Sequence, residues 1–204
     1  MPPVAEPARG RLTFAAEGQE GGPFHSRVLH VPTASSGLTL GRGYDMKERS
    51  KSEVRDHMLA IGLRSEIAAL LSQAAGRSGA GAEEFIAEND LEDFEIDGDQ
   101  QRRLFDIVYA ELEADARRLA TKPDVVRAYG ACNWEALDPA IREVLIDLRF
   151  RGDYTPGCRR ILQRHFAAND VAAFAAAISD RANWPNVPRD RFERRRDFCK
   201  TPPA

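Results

Sequence analysis

The sequence contains no apolar run approaching the roughly 20 residues that a membrane-spanning helix needs. Its mean hydropathy is -0.46 and its net charge is only -3, so neither membrane insertion nor a strongly basic surface for nucleic acid is indicated. The N-terminal stretch MPPVAEPARGRLTF lacks the charged and then apolar pattern of a signal peptide. We therefore expect synthesis in the cytoplasm without Sec-type export.

Cysteine and histidine are both scarce. The three cysteines are an odd number with no zinc-module spacing, which fits a reducing compartment and small buried apolar side chains. A bridge between Cys132 and Cys199 stays open for a protein that works outside the cytosol. The four histidines form no H-x-x-x-H pair and flank no nucleophile elbow. The sequence therefore predicts no metal site and no cofactor.

Three further motifs carry weak signals. The segment 93–104, DFEIDGDQQRRL, resembles a calcium loop but has Leu104 where a bidentate glutamate is required, so a helix-capping turn is favoured. The GRG at 41–43 is not followed by G-K-[ST], as a phosphate loop would be. The basic run 189–196 is interrupted by Asp190 and Glu193, which predicts a solvated helix face.

Helical periodicity dominates the chain after Asp45 and predicts seven or eight helices. Asp138 followed by Pro139 marks the start of one of them, and Asp99 is predicted to cap a long one. Before Asp45, the alternating stretches RVLHV (27–31) and GLTLG (37–41) predict a small β-hairpin with a five-residue loop. The expected class is α+β, mostly α, with residues 1–10 as a flexible leader and 11–200 as one domain.

The glycine-rich stretch SSGLTLGRGYD, 35–45, is the most informative part of the sequence. Gly37, Thr39 and Gly41 share one face of the predicted strand, which would leave the threonine hydroxyl over a surface without side-chain bulk. Asp45 follows six residues after Thr39, where the strand is expected to give way to a helix. Asp45 is thus either a functional carboxylate or a simple helix N-cap.

A second carboxylate of interest is Glu17, which ends the short apolar segment RLTFAAE and directly precedes Gly18. Partial burial by Phe14 would raise its pKa, as a general acid requires. An ordinary surface glutamate is the alternative interpretation. Glu20 is a rival acid, although it lies within a glycine-rich loop that would hold it less firmly.

Together these features resemble the pesticin-type branch of the phage-lysozyme superfamily of cell-wall muramidases, in which a glutamate-glycine pair precedes a strand of the form S-G-x-T-[IL]-G-x-G-Y-D. The matching positions are Ser36, Gly37, Thr39, Leu40, Gly41, Gly43, Tyr44 and Asp45. The resemblance covers most of 11–199, but only the hairpin is specific. Ordinary phage lysozymes carry their aspartate six residues before the threonine. That position is Thr33 here, so only the arrangement with the aspartate after the strand fits.

The resemblance implies a lysozyme-like fold with an N-terminal hairpin and a helical lobe, and an enzyme that cleaves the β-1,4 bond between N-acetylmuramate and N-acetylglucosamine. It implies Glu17 as general acid, Asp45 as second carboxylate, Thr39 as the residue that positions water or the intermediate, and Tyr44 as a substrate contact. Such chemistry uses one protonated and one ionised carboxyl group. An apolar setting for Glu17 and a helix N-terminus for Asp45 would separate their pKa values.

Two other functions remain open: a lytic transglycosylase or chitinase-like enzyme, and a non-catalytic wall-binding module. The presence of both carboxylates and the threonine argues against the module. Pesticin-like domains occur in bacteriocins, in type VI secretion effectors and in phage lysis proteins. The resemblance therefore implies peptidoglycan as the substrate, a secretion-system carrier, a cognate immunity protein, and action in the periplasm or cell wall of a target bacterium.

Overall fold

The computed structural model describes residues 6–22 and 25–200 of the chain. The chain forms two compact units, one built mainly from Glu17–Val108 and the other from Arg9–Ala16 together with the described part of Tyr109–Ala204. Both units are mainly helical, and the first also holds a small antiparallel sheet. The predicted class, α+β and mostly α, is confirmed.

The described residues contain ten α-helices, two short 3-10 helices and one two-stranded sheet. The first unit contains β1 (Thr39–Leu40), β2 (Tyr44–Asp45), α2 (Lys51–Ala60), α3 (Ser65–Ser72), α4 (Ala80–Glu88) and most of the first half of α5 (Gly98–Ala120). The second contains α1 (Arg11–Ala16), the rest of α5, α6 (Pro123–Tyr129), α7 (Pro139–Phe150), α8 (Pro156–Ala167), α9 (Val171–Ser179) and α10 (Arg189–Lys200), with 3-10 helices at Trp134–Ala136 and Arg181–Asn183. None of the described helices is both long and apolar enough to cross a bilayer.

The hairpin lies further along the chain than the sequence predicts. Residues 27–31 do not form a strand, and His30 meets Thr39 only through one isolated antiparallel bridge. Instead β1 pairs with β2 across the three-residue turn 41–43. Gly41 and Gly43 have φ values of 61° and 83°, a conformation that side chains other than glycine rarely adopt. The glycines therefore make the turn itself, rather than flanking a longer strand.

Side-chain caps set the start of several helices, among them α7 and α2. Asp138 accepts a hydrogen bond from the Ala140 N–H at 2.8 Å, and Pro139 opens α7, as predicted. At α2, the hydroxyl of Ser50 accepts from the Glu53 N–H, while the Glu53 carboxylate accepts from the Ser50 N–H at 2.8 Å. These reciprocal bonds fix the first residue of α2 at Lys51.

The long helix α5 begins two residues earlier than predicted, at Gly98 rather than Gln100. Asp97 and Gln100 accept each other's backbone N–H groups at 2.8 and 2.9 Å, so Asp97 rather than Asp99 caps the helix. This turn occupies the calcium-like segment 93–104. The expectation of a helix-capping turn there is confirmed.

Of the predicted leader, residues 1–5 lie outside the described part of the chain, whereas its last residues pack against α5. Arg9 pairs with Glu113 at 2.8 Å. Gly10 lies so close to the ring of Tyr109 that a β-carbon could not fit between them. These contacts place residues 9 and 10 within the second compact unit.

The three cysteines are unpaired. Burial raises the pKa of Cys158 to about 12, so its thiol stays neutral and behaves as a small apolar side chain, as expected. Cys132 and Cys199 are only half-buried.

Helix α1 is attached to α7 by two carboxylates one helical turn apart. The Leu12 N–H donates to Glu143 at 3.1 Å, which satisfies a free donor at the start of α1. One residue further on, the Thr13 hydroxyl donates to Asp147 at 3.0 Å. Because residues four apart on a helix share a face, one side of α7 holds the whole first turn of α1.

Asp147 also binds two arginines from α10. Its side chain is fully buried, and it accepts hydrogen bonds from Arg191 Nη2 at 2.5 Å and from Arg195 Nε at 2.6 Å. The exposed fractions of Arg191 and Arg195 are only 5% and 2%. The predicted solvated face of this basic run is therefore wrong for these two residues, because they lie one turn apart on the side of α10 that faces a buried carboxylate.

The buried carboxylate predicts a large effect on stability. Asp147→Asn should lower the free energy of unfolding by about 3–5 kcal/mol, because two buried guanidinium groups lose their shared counter-charge. Chemical denaturation at neutral pH measures this change. Glu193→Gln is the control, since the Arg189–Glu193 pair on the same helix is largely exposed and should contribute at most about 0.5 kcal/mol. Equal losses in the two variants would contradict the prediction.

Candidate active site

The two strands of the hairpin separate the candidate polar residues from the core. Thr39 lies opposite Asp45, and Leu40 lies opposite Tyr44. Directly opposed residues of an antiparallel pair point to the same face, and neighbours along a strand point to opposite faces. Leu40 and Tyr44 are fully buried and pack into the core. Thr39 and Asp45 are therefore brought together on the other face of the sheet.

The carboxylate of Asp45 is held by two backbone donors. Oδ2 accepts from the Gly37 N–H at 3.1 Å, and Oδ1 accepts from the Lys47 N–H at 2.8 Å. Asp45 is not at a helix N-terminus, because α2 starts at Lys51 and is capped by Ser50. The predicted helix-capping position of Asp45 is therefore wrong, and its side chain orders the backbone on both sides of the hairpin instead.

The sequence predicts a surface without side chains over Gly37 and Gly41, but other residues of the protein occupy this space. A β-carbon on Gly37 would collide with the Asp45 carboxylate and with Lys47. A β-carbon on Gly41 would lie 3.3 Å from Leu104 of α5. Both glycines thus allow close contact within the protein, rather than leaving room for a ligand.

Thr39 lies between these two glycines and has an exposed fraction of 6%. Its hydroxyl donates to the Gly37 carbonyl at 3.2 Å. Its backbone N–H and carbonyl pair with His30 at 2.8 and 3.1 Å. The threonine side chain is therefore fixed in orientation, and its oxygen can still accept a hydrogen bond.

Tyr44 does not occupy a position suited to substrate contact. Its ring is fully buried, and its hydroxyl lies 3.0 Å from His57 Nδ1. The guanidinium of Arg49 lies 4.3 Å from the centre of the ring. The substrate-binding role predicted for Tyr44 is corrected accordingly: its position opposite Leu40 directs the side chain into the core.

Glu17 directly follows Ala16, the last residue of α1, and is half-buried. The residue after it is tied to the hairpin turn, since Arg42 Nη1 donates to the Gly18 carbonyl at 3.0 Å. The Ser26 hydroxyl accepts from the next N–H, that of residue 19, at 2.8 Å. The segment that carries Glu17 is thereby attached to the turn that joins Thr39 to Asp45.

Glu20, the rival acid, is committed to ion pairs. It accepts hydrogen bonds from Arg42 at 2.9 Å and Gln101 at 2.7 Å, and its second oxygen lies 3.2 Å from Arg27 Nε. Burial alone would raise its pKa, but the hydrogen bonds from Gln101 and Arg42 and the charges of Arg42 and Arg27 outweigh burial and lower the pKa below its ordinary value. An ionised Glu20 is poorly suited to donate a proton.

Within residues 6–22 and 25–200, no three histidine, cysteine, aspartate or glutamate side chains gather as a metal site would require. The candidate catalytic groups of the first unit are two carboxylates, Glu17 and Asp45, and the hydroxyl of Thr39. Such a set suits proton transfer and activation of water.

The sequence did not single out Arg42, which is the residue that connects the two candidate segments. Its exposed fraction is 6%, although it lies in a turn between two glycines. The local sequence carried no signal for this role, because a polar residue in a two-glycine turn usually faces solvent. Its acceptors, Gly18 and Glu20, lie more than 20 residues away in the chain and could not be inferred from spacing.

A family model matches residues 10–196, so the chain belongs to the family described as a domain of unknown function (DUF8812). No curated protein matches the chain.

The ion pairs of Glu20 predict a pH-dependent contribution to stability. Because its folded-state pKa is lowered, Glu20 should stabilise the protein above pH 4.5, and this contribution should be lost as the pH falls through the folded-state pKa. Glu20→Gln should therefore cost about 1 kcal/mol at pH 7, and this cost should shrink as the pH falls through the folded-state pKa of Glu20. Urea denaturation across this range measures the difference. Glu84→Gln, exposed on α4, is the control, and a pH-independent cost of Glu20→Gln would contradict the prediction.

Proposed function

We propose that this DUF8812 domain is a muramidase that hydrolyses the β-1,4 bond between N-acetylmuramate and N-acetylglucosamine in peptidoglycan. The observation that carries the proposal is the hairpin register, which sets Thr39 directly opposite Asp45 on the face of the hairpin opposite to Leu40 and Tyr44. The attachment of the Glu17 segment to the same hairpin through Arg42 adds support. The sequence pattern shared with pesticin-type muramidases supplies the reaction class.

In this proposal Glu17 protonates the leaving oxygen of the glycosidic bond, and Asp45 activates water or stabilises the positive charge that develops on the sugar. Two backbone N–H donors hold the Asp45 carboxylate in one orientation, as a group acting on a bound sugar must be held. The Thr39 hydroxyl, oriented by the Gly37 carbonyl, would position the attacking water or the intermediate.

Two alternative functions can be distinguished from hydrolysis by the products that they release. A lytic transglycosylase would release muramate products with a 1,6-anhydro ring, one water lighter than hydrolysis products, because no water attacks. A wall-binding module would bind sacculi and release nothing. The carboxylate held by two backbone donors favours an enzyme over a binding module, which does not need such a group.

Delivery to a target cell is also a proposal, and the pesticin resemblance alone supports it. An antibacterial toxin carried by a type VI or similar secretion system would act in the periplasm or cell wall of the target. A producing cell would then need an immunity protein. Secretion and competition assays with and without a functional secretion apparatus test this part independently of the chemistry.

The two carboxylates are tested by charge removal with little change in volume. Glu17→Gln and Asp45→Asn should each lower the rate of fragment release from purified sacculi by about 100-fold or more. Glu17→Gln should leave the fold intact, because it removes a proton donor and little volume. Asp45→Asn should also cost about 1–3 kcal/mol, because the amide NH2 replaces one of the two oxygens that accept from the Gly37 and Lys47 N–H groups and cannot accept a hydrogen bond.

Mass spectrometry of the released fragments reads out these variants and separates hydrolysis from transglycosylation in the wild type. Glu84→Gln serves again as the exposed control. A Glu17→Gln variant with wild-type activity would show that Glu17 is not the acid.

Thr39 is tested by two substitutions that separate its hydroxyl from its packing. Thr39→Ser keeps the donor to Gly37 and should retain most of the activity. Thr39→Val keeps the volume but removes the hydroxyl, and should lower the rate at least tenfold at a cost of about 1 kcal/mol in stability. A fully active Thr39→Val variant would remove the hydroxyl from the mechanism.

A further inference from the structure

Arg42 is a buried cation at the tip of the hairpin. It lies three residues after Thr39 and three before Asp45, between two glycines with positive φ. Only 6% of its surface is exposed. Guanidinium groups are weakly hydrated and carry donors in a fixed fork, so a buried arginine is normally held by acceptors of matching geometry. The partners of Arg42 therefore indicate what it does.

One nitrogen of the Arg42 guanidinium binds the backbone next to Glu17. Nη1 donates to the Gly18 carbonyl at 3.0 Å. A β-carbon on Gly18 would lie 2.7 Å from Arg42 Cγ and 2.6 Å from Ser26 Oγ, so the side chain of Arg42 lies directly across this glycine. The glycine after Glu17 is thus explained by the close approach of Arg42.

The other branch is held by Glu20. Nη2 lies 2.9 Å from Glu20 Oε1, and the same oxygen accepts from Gln101 of α5 at 2.7 Å. Glu20 Oε2 lies 3.2 Å from Arg27. The two branches together bind residues 18 and 20 to the turn 41–43. Gln101 of α5 stabilises this arrangement through its hydrogen bond to Glu20.

Glu17 is joined covalently to Gly18, and consecutive Cα atoms are about 3.8 Å apart. Fixing the Gly18 carbonyl therefore limits how far Glu17 can move relative to the turn. The same turn determines where Thr39 and Asp45 lie, because they are paired in register across it. One side chain thus links the backbone of all three candidate catalytic residues.

We propose that Arg42 is a positioning residue that fixes the Glu17 segment on the hairpin carrying Thr39 and Asp45, with Glu20 as its counter-ion. This inference rests on the proposed function for its catalytic consequence. A displacement of about 1 Å in a reacting group can lower a rate by about 100-fold, so loss of the anchor should act mainly on kcat and little on KM. A merely structural arginine would change stability without this division.

The test compares Arg42→Met, which keeps the length of the side chain but removes the donors, with Arg42→Lys, which can reach only one partner at a time. Arg42→Met should lower kcat at least 30-fold with KM within about threefold, and Arg42→Lys should recover part of the loss. Gly18→Ala is a second route to the same effect, because the new methyl group displaces Arg42 without removing its charge. Leu71→Ala is the stability control, because Leu71 is a buried α3 residue of the same unit. Assayed well below its own thermal midpoint, this variant should retain the wild-type kcat.

Hydrogen exchange provides a readout that does not depend on activity. The amides of residues 19 and 21, which donate to Ser26 and His25, should exchange at least tenfold faster in Arg42→Met than in the wild type. Unchanged exchange in a folded Arg42→Met protein would overturn the anchor. If the wild type is active, faster exchange in Arg42→Met together with an unchanged kcat would overturn the positioning role.

Failure of the proposed function has a different signature. A wild-type protein that releases no fragments from sacculi would overturn the muramidase proposal and the catalytic role of Arg42 with it. The exchange comparison would then decide whether Arg42 anchors the segment. Both proposals are supported if the wild type is active and Arg42→Met has a lower kcat and faster amide exchange. Arg42→Lys should then recover part of the lost kcat.

Discussion

The alternation of side chains across β1 and β2 is the constraint on which the candidate site depends. A strand has a side-chain period of two, so a hairpin that buries Leu40 and Tyr44 must place Thr39 and Asp45 on the opposite face. The burial of two large side chains thereby determines which polar residues become neighbours. A shift in register by one residue would bury the aspartate and expose the tyrosine, which makes this pairing strongly specified.

Much of the glycine-rich pattern is explained by packing. Gly37 leaves room for the Asp45 carboxylate, Gly41 approaches Leu104, and Gly18 accommodates Arg42. These requirements are geometric and hold whether or not the protein is an enzyme. Thr39 and Asp45 remain the candidate functional residues of the pattern, and both also bond to the hairpin backbone.

Buried charge organises both compact units in the same way. In the first, Glu20 joins a buried arginine of the hairpin turn to α5. In the second, Asp147 joins α1 and α7 to two buried arginines of α10. A carboxylate accepts several directional hydrogen bonds at once, so it ties distant segments together in one arrangement.

The sequence by itself determined the helical class, the cap of α7 at Asp138, and the two short segments that carry Glu17, Thr39 and Asp45. These are local properties, because periodicity, caps and glycine turns involve residues a few positions apart. It misplaced the first strand of the hairpin, since alternation alone does not distinguish an isolated bridge from a paired strand. It also treated Asp45 as a helix-capping candidate, although the capping pair of Ser50 and Glu53 was present in the sequence.

Only the tertiary structure decided the partners of the charged and aromatic residues. Whether Arg191 and Arg195 face water or Asp147, whether Tyr44 faces a substrate or the core, and whether Arg42 is free or reaches Gly18 all depend on segments more than 12 residues apart. Composition and spacing carry no record of such contacts, because the energy of a buried charge or ring depends on what surrounds it in space.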